Sequence, residues 1–259
     1  MNKHVYVGCG NHRLVGFIHI DIDFAKRFKK GEKVPEPDFI CDITKKLPFK
    51  ENSVDLIFSR ETLEHLTYRE LINHLIECHK VLKIGGKVRI AIPDLDIMIQ
   101  NFLKRETDFL NEKDHWEINE DFPIENHSEF FVAQTMYHDH RYNHNFETLH
   151  NSLKKVGFEN ITKSLAGDFD INNEVIKNEI KKSEIGRNKL LFVTAEKKIN
   201  NVKCNKFSLK KNKKLIKKIL SKIFNIELKA ANHRKPHFPQ KNYFYEKIYF
   251  LKNFLKNIK

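Results

Sequence analysis

Two glycines and three polar side chains in the first 60 residues stand directly after short apolar runs. Gly8 and Gly10 follow "HVYV", Asp21 ends "FIHID", Asp42 ends "DFICD" and Ser59 ends "SVDLIFS". Glycine at a strand end lets a ligand approach the backbone, and a carboxylate at the next strand end can accept hydrogen bonds from both hydroxyls of a ribose. A second acid, one strand further along, can face the amino group of an adenine. The set suits a nucleoside that carries no phosphate.

The glycine turn does not match the fingerprint of a dinucleotide site. That fingerprint has a third glycine, which allows a helix to pack closely, and an acid about 20 residues further on. Here Arg13 stands where the third glycine belongs, and Asp21 follows Gly8 by only 13 residues. A nicotinamide cofactor is therefore disfavoured.

Five apolar runs predict the strands that must position these residues: 4–8, 17–21, 38–42, 53–59 and 86–93. The last two are nearly continuous, which is typical of strands buried on both faces of a parallel sheet. Between them Thr67 and Glu70 form a capping box, an apolar stripe follows at helical spacing, and Gly85 and Gly86 are predicted to end the helix. Strand, helix and strand predict a right-handed crossover of a doubly wound α/β fold, whose ligands bind beyond the carboxyl ends of the strands.

Further elements are predicted as far as residue 199. They are a helix after Pro93, a helix at 146–158, strands in "FENITKSL" and "KLLFVTAEKK", and a long, partly helical loop at 167–188. A parallel crossover normally needs a dozen residues or more, and fewer separate Gly10 from the second strand, so the first helix must be shortened to a loop. Residues 1–199 are expected to form one α/β domain.

The charge of the chain is concentrated in its C-terminal part. The net charge is +13, and residues 201–259 hold 17 lysines and arginines against two acids. Residues 200–259 are therefore predicted to form a basic, amphipathic, helical extension. No apolar run approaches the roughly 18 residues that span a bilayer, and the first strand leaves no room for a signal peptide. The four cysteines lack disulfide or zinc spacing, and the expected location is the cytoplasm.

Three stretches resemble one enzyme family. "VGCGNHRLVGFIHIDID", "LPFKENSVDLIFSRETLEHL" and "ECHKVLKIGGKVRIAIPDLD" resemble class I S-adenosylmethionine-dependent methyltransferases, of the bacterial type associated with surface-glycan biosynthesis. The resemblance covers about the first 95 residues and resumes at "HRYNHNFETLHNSLKKVGF". It implies a Rossmann-like methyltransferase fold with a mostly parallel sheet, S-adenosylmethionine as cofactor, and methyl transfer to a small polar acceptor such as a sugar or glycan precursor.

The cofactor residues that this resemblance implies lie at the strand ends. They are Gly8, Cys9 and Gly10 for the methionyl portion, Asp21 for the ribose, Asp42 and the backbone of Ile43 for the adenine, and Ser59 beside the reacting sulfonium. One feature of the family is missing: Tyr6 and Val7 stand where an acid usually precedes the first glycine.

A hydroxyl acceptor also needs a general base within hydrogen-bond reach. The candidates at the same sheet edge are His140, Asp94 and His65. Asp94 could instead cap the helix after Pro93, and His65 with Glu64 could be a structural pair. The histidines of "YHDHRYNH" invite a metal site, but their spacing matches no zinc signature, so no metal ion is predicted.

Several alternatives stay open for the extension and for the activity. The extension could lie peripherally on the inner, anionic membrane surface, bind RNA phosphates, or pack on the body or on a second subunit. Nucleic acid is the less favoured partner. The alternatives to a glycan-precursor methyltransferase are an RNA methyltransferase steered by the basic extension, and a cofactor-binding or scaffold protein without catalysis. The oligomeric state is not predicted.

Overall fold

The computed structural model describes residues 2–22, 35–105, 126–136 and 139–200. In these ranges the strands are β1 (His4–Val7), β2 (Phe17–Asp21), β3 (Phe39–Ile40), β4 (Val54–Arg60), β5 (Leu82–Pro93), β6 (Glu159–Ser164) and β7 (Leu190–Glu196). The helices are α1 (Tyr68–Val81), α2 (Leu95–Lys104), α3 (His127–Met136), α4 (Phe146–Val156) and α5 (Glu174–Glu184), and Leu63–His65 form a 3₁₀ turn. The extension predicted for residues 200–259 falls almost wholly outside the described residues.

The seven strands form one sheet in the order β3-β2-β1-β4-β5-β7-β6. β1 pairs in parallel with β2 and β4, β2 with β3, and β4 with β5, whereas β7 runs antiparallel to β5 and β6. The chain therefore reverses its direction of winding between β1 and β4, and the carboxyl ends of the parallel strands meet at one edge. This arrangement confirms the predicted doubly wound, mostly parallel fold.

The sheet is buried on both faces, because neighbouring residues of a strand point to opposite sides. Val5 and Val7 of β1 belong to the larger apolar cluster, with α1 and α4, whereas Tyr6 belongs to a second cluster with Ile176 and Ile180 of α5. Each such aliphatic or aromatic side chain contributes about 1.5–3 kcal/mol on full burial. Packing on both faces holds the strand ends, and hence the site residues, in place.

The capping box at Thr67 begins α1 as predicted, but the predicted end of the helix is wrong. α1 ends at Val81, and Leu82 already belongs to β5. Gly85 and Gly86 lie inside β5, where its register with β4 shifts. Gly85 has a φ of +80°, a conformation that glycine adopts without strain, so the glycine pair forms a bulge rather than a helix end.

The connection between β1 and β2 contains no helix in the structure, as its length predicts. The predicted strand at 38–42 is reduced to Phe39–Ile40, and the predicted loop at 167–188 contains α5. α3 was not predicted from the sequence. Among the described residues, no helix is long and apolar enough to cross a membrane.

A buried ion pair attaches α5 to the centre of the sheet. Arg89 of β5 and Glu184, the last residue of α5, are both 0% exposed, and two hydrogen bonds of 2.8 and 2.7 Å join the guanidinium to the carboxylate. Ser164 and Thr194 accept further hydrogen bonds from Arg89, and Gly167 N donates to Glu184. The pair thereby positions the segment that follows α5.

Removing one partner of this pair should destabilise the fold strongly. We expect Glu184→Gln to lower the free energy of unfolding by about 3–5 kcal/mol in urea denaturation, because Arg89 would keep a buried charge without a counter-ion. The double variant Arg89→Met/Glu184→Leu should lose less stability, because it leaves no buried charge without a partner. Glu174→Gln, an exposed position of the same helix, serves as the control with a change below about 1 kcal/mol. Equal losses in all three variants would contradict this account.

Candidate functional site

A cleft of about 630 Å³ lies beyond the carboxyl ends of β1, β2 and β4; we call it the strand-end cleft. Six of the seven predicted cofactor residues line it: Gly8, Cys9, Gly10, Asp21, Asp42 and Ile43. These residues come from three separate connections of the chain. The parallel pairing of the strands brings them together at one edge.

The glycine turn of the cleft is packed so closely that Gly8 has no room for a side chain. Its φ is +66°, and a Cβ atom there would lie 2.2 Å from the side chain of Thr62. Thr62 Oγ1 donates a hydrogen bond to the Gly8 carbonyl, and Gly8 N donates to the carbonyl of Ile20 at 2.9 Å. Glycine is therefore required for the turn to fit between β2 and the segment after β4.

The carboxylate of Asp21 is oriented by two backbone amides. Gly10 N donates to Oδ2 and Ile22 N donates to Oδ1, both at 2.7 Å. Asp21 is buried, yet it lines the cleft. Each carboxylate oxygen has two lone pairs, so both oxygens can still accept one hydroxyl proton each. This arrangement suits a vicinal diol such as a ribose.

The next wall of the cleft is a turn whose backbone accepts a hydrogen bond from a buried histidine. Asp42 Oδ1 accepts hydrogen bonds from the backbone and the hydroxyl of Thr44, at 2.9 and 2.7 Å, which closes an Asx turn. His74 of α1 donates from Nδ1 to the Ile43 carbonyl at 3.0 Å, and its Nε2 lies 3.3 Å from the thiol of Cys78. Burial lowers the pKa of His74 to about 4, so the ring is neutral at neutral pH. The sequence does not single out His74, because the position of a histidine on a helix does not show which residues pack against it.

Ser59 is the one predicted cofactor residue that the structure leaves out of the cleft lining. β4 continues through Arg60, and Arg60, Glu61 and Thr62 line the cleft instead. The hydroxyl of Ser59 is buried and has no hydrogen-bond partner among the described residues. The strand therefore ends later than the sequence predicted, and Ser59 is set back from the edge.

Cys9 lines the cleft as a neutral thiol. Its side chain is buried, and this burial raises the pKa of the thiol to about 11, although the Arg13 guanidinium lies 3.4 Å from Sγ. A protonated, buried thiol is a poor nucleophile. Cys9 is therefore a packing contact of the cleft and not a reactive cysteine.

A second pocket, of about 710 Å³, adjoins the strand-end cleft and shares Glu61 and His65 with it. Its walls are the start of α2, the segment 186–190 after α5, and the residues Glu64, Gln134 and His140. The Arg89–Glu184 pair described above positions the segment 186–190. The two cavities meet at the 3₁₀ turn.

The structure brings together His65 and His140, which the sequence predicted as separate candidates for a base. Their ring centroids lie 5.1 Å apart, with a ring angle of 68°. Glu64 completes a cluster of three residues whose ligand atoms all lie within 4.8 Å of one another. We call it the Glu-His-His cluster. The sequence predicted Glu64 only as a structural partner of His65, although an acid inside the apolar run "LEHL" is itself a signal.

Two backbone hydrogen bonds join the segment that holds Glu64 and His65 to the segment that holds His140. Arg141 N and Tyr142 N donate to the Glu64 carbonyl at 2.8 and 3.2 Å. The side chain of Glu64 is 2% exposed, and burial raises the pKa of its carboxyl to about 8. A strongly shifted carboxyl in a cleft is typical of a functional group.

Asp94, the third predicted base, lies outside both cavities. It caps α2, since its Oδ1 accepts a hydrogen bond from Asp96 N at 3.0 Å. Its Oδ2 accepts from Lys163 Nζ at 2.9 Å, and the side chain is 0% exposed. Because Asp94 is fully buried and lines neither cavity, the geometry assigns it the capping role that the sequence left open.

The family comparison agrees with this geometry. Residues 5–90 match the family model described as "Methyltransferase domain", a range that runs from β1 into β5 and includes all six cleft residues named above. This match indicates a methyltransferase domain in the first part of the chain. A methyltransferase domain implies S-adenosylmethionine as the cofactor, and the lining of the strand-end cleft fits it, because the Asp21 carboxylate beside the glycine turn offers acceptors to a ribose.

The relative and the solved structures that resemble this chain match it over part of the sequence or at low identity. An uncharacterized protein of Methanocaldococcus jannaschii is 32% identical over 84 residues, and the match covers 32% of this chain and only about a third (34%) of that protein. A SAM-dependent methyltransferase from Archaeoglobus fulgidus is 17% identical with a TM-score of 0.43, over 76% of this chain and 86% of that chain. Haemonchus contortus phosphoethanolamine N-methyltransferase 2 in complex with S-adenosyl-L-methionine is 16% identical with a TM-score of 0.41, over 76% of this chain and 48% of that chain.

Removal of the Asp21 carboxylate should weaken cofactor binding. We expect Asp21→Ala to lower the affinity for S-adenosylhomocysteine about 10- to 100-fold in calorimetric titration, because hydrogen bonds to a charged group contribute about 1.5–3 kcal/mol. The control is Asp55→Ala, at the opposite edge of the sheet, where Asp55 pairs with Lys83. Its affinity should stay within about twofold of the wild type. Undiminished affinity in Asp21→Ala would remove Asp21 from the ribose site.

The neutral His74 should make the fold sensitive to acid. The unfolded chain takes up a proton on His74 as the pH falls through about 6.5. The folded chain takes up this proton only as the pH falls through about 4, the pKa of the buried ring. Stability from this source is present above pH 6.5 and is lost as the pH falls. Between pH 7 and pH 5 the loss is about 2 kcal/mol. In urea denaturation, the free energy of unfolding of His74→Gln should fall by about 2 kcal/mol less than that of the wild type between pH 7 and pH 5. An equal fall in both proteins would contradict the assignment of a neutral, buried His74.

Proposed function

We propose that this chain methylates a hydroxyl or carboxyl group of a small polar acceptor, of the sugar or glycan-precursor class. The observation that carries the proposal is the pair of adjoining cavities that meet at Glu61 and His65. One cavity fits the cofactor, and the other has a volume within the usual range for small-molecule sites. We call the second one the acceptor pocket.

The lining of the acceptor pocket supports a polar, acidic acceptor. Arg187 and Lys189 supply positive charge, and Asn101 and Asn188 supply amide donors and acceptors. Arg187 is oriented by Glu61, whose carboxylate accepts its hydrogen bond at 2.7 Å. Such an arrangement suits the hydroxyl and carboxylate groups of a sugar acid.

An acid of the same pocket favours a small molecule over RNA. Glu61 lies where the two cavities meet, and a carboxylate at that place opposes the close approach of a phosphate backbone. The cations of the acceptor pocket lie inside a concave cavity rather than along a groove. The RNA alternative rested on the basic residues 200–259, which fall almost wholly outside the described residues.

The Glu-His-His cluster is placed to act on the acceptor. Methyl transfer is an in-line displacement in which the acceptor oxygen forms a bond to the methyl carbon while the carbon–sulfur bond breaks. S-adenosylmethionine supplies the methyl group when it is bound. The walls of the acceptor pocket orient the acceptor, and the cluster, which includes the predicted residues His65 and His140, promotes loss of the acceptor proton.

A transfer assay tests the proposal. The full chain is incubated with S-adenosylmethionine labelled in its methyl group and with nucleotide sugars, uronic acids or RNA. We expect label on a sugar acceptor and none on RNA. Labelling of RNA alone would favour the RNA methyltransferase, and cofactor binding without transfer to any acceptor would favour the protein without catalysis.

A variant of the acceptor pocket sharpens this assay. Lys189→Ala should raise the KM for an acidic acceptor about 10-fold, because a charge-assisted contact is lost, while the affinity for S-adenosylhomocysteine stays unchanged. Lys182→Ala serves as the control, since this exposed lysine of α5 lies outside both cavities. An unchanged KM in Lys189→Ala would exclude Lys189 from acceptor binding.

A further inference from the structure

The Glu-His-His cluster has the composition and spacing of a metal site. The ligand atoms of Glu64, His65 and His140 lie within 4.8 Å of one another. Donors at about 2.1 Å from one ion lie about 3–4 Å apart, so small side-chain rotations suffice to close the site. We propose that these three residues bind one divalent transition-metal ion at the boundary between the strand-end cleft and the acceptor pocket.

The two imidazole rings already have the mutual placement that a shared ion requires. Nitrogen ligands at about 2.1 Å from an ion hold the centroids of two rings about 5 Å apart when they meet at a roughly tetrahedral angle. The observed centroid distance between His65 and His140 is 5.1 Å, and the rings are inclined by 68°. A stacked pair of rings would not point two nitrogens at one position.

The hydrogen bond of His140 selects the tautomer that binds metal. Its Nδ1 lies 3.1 Å from the backbone carbonyl of Gln134, and a carbonyl can only accept. The proton therefore sits on Nδ1, and Nε2 carries the lone pair. Histidine ligands of metal ions commonly donate their second ring nitrogen to a carbonyl or carboxylate in this way.

The Glu64 carboxyl provides a second, independent observation. The side chain is 2% exposed, and its Oε2 has no hydrogen-bond partner among the described residues. A buried polar oxygen without a partner costs free energy, and natural structures usually retain one for a reason. A bound cation would supply the missing partner.

The backbone holds the cluster together from both sides. Glu64 and His65 belong to the 3₁₀ turn after β4, and His140 precedes the residues whose amides bind the Glu64 carbonyl. A backbone hydrogen bond therefore joins Glu64 to Arg141, the residue next to His140. Such preorganisation lowers the entropy cost of assembling a metal site.

The donor set indicates the class of ion. Two imidazoles and one carboxylate suit Zn²⁺, Co²⁺, Mn²⁺ or Fe²⁺, whereas Mg²⁺ and Ca²⁺ prefer oxygen ligands alone. Three protein ligands leave coordination positions open, and all three residues line the acceptor pocket. An acceptor hydroxyl bound there would lose its proton to solvent more readily, as water does on zinc. This role rests on the proposed function, whereas metal binding by itself does not.

The inference departs from the sequence-based expectation of no metal site. That expectation considered the histidines of "YHDHRYNH", which are neighbours in the chain. The structure instead combines His140 with Glu64 and His65, and the long separation between them matches no spacing signature. The tertiary contact decides the set of ligands.

Cobalt titration of the untagged full chain, stripped of metal with EDTA, tests the inference. We expect one equivalent of Co²⁺ to bind, with visible absorption bands that Zn²⁺ abolishes in competition. Glu64→Gln and His140→Asn should each weaken binding at least 10-fold, and circular dichroism should confirm that both variants are folded. His150→Asn, a histidine of α4 outside both cavities, should bind as the wild type does.

The outcomes separate this inference from the proposed function. Absence of Co²⁺, Zn²⁺ and Mn²⁺ binding in the wild type, or unchanged binding in folded Glu64→Gln, would overturn the metal site. Binding of S-adenosylhomocysteine and methyl transfer by the same metal-free protein would leave the proposed function intact. Stoichiometric metal binding that depends on Glu64 and His140 would support the site even if no acceptor in the panel were methylated.

Discussion

The parallel pairing of β1 with both β2 and β4 is the constraint on which the site depends. Val7 stands in register with Ile20 on one side and with Ser59 on the other, so the residues that follow each strand emerge side by side. Gly8, Asp21 and the segment after Arg60 thereby meet at one edge. A slip of one residue in either pairing would turn every side chain of the strand to the opposite face. Apolar packing on both faces opposes such a slip.

The short first connection changes how the glycine turn is held. A doubly wound sheet usually follows its first glycine turn with a helix, whose N-terminus can bind an anion. Here the amide of Gly10 donates to Asp21 instead, and the side chain of Thr62 packs against Gly8. Side-chain and backbone contacts thus replace the helix, and an amide that could face a phosphate is directed to a carboxylate. The turn suits a ligand without phosphate for this reason.

Two buried glutamates show how the same residue type can be structural or functional. Glu184 is paired with Arg89 through two hydrogen bonds, and Gly167 N donates a third to its carboxylate. Glu64 is almost equally buried, but one of its oxygens has no partner among the described residues, and burial raises its pKa to about 8. The first arrangement attaches a helix to the sheet. The second keeps an unfavourable group at the place where two cavities meet, which is typical of a site that acts on a ligand.

The residues at the ends of β1, β2 and β3 could be predicted from the sequence alone. Short apolar runs, glycine after a strand and an acid at the next strand end are local patterns, and Gly8, Asp21 and Asp42 all line the predicted cleft. The capping box of α1 is local in the same sense. Family resemblance added the cofactor, which no single pattern implies.

The remainder required the tertiary structure. Whether Ser59 reaches the cleft depends on where β4 ends against its neighbours, and whether Gly85 ends a helix or forms a bulge depends on pairing with β4. The joining of Glu64, His65 and His140 depends on hydrogen bonds between segments far apart in the chain. The sequence by itself determined the strand-end chemistry, because that chemistry follows from neighbouring residues. Only the tertiary structure decided the cluster beside it, since long-range contacts select which distant side chains share one pocket.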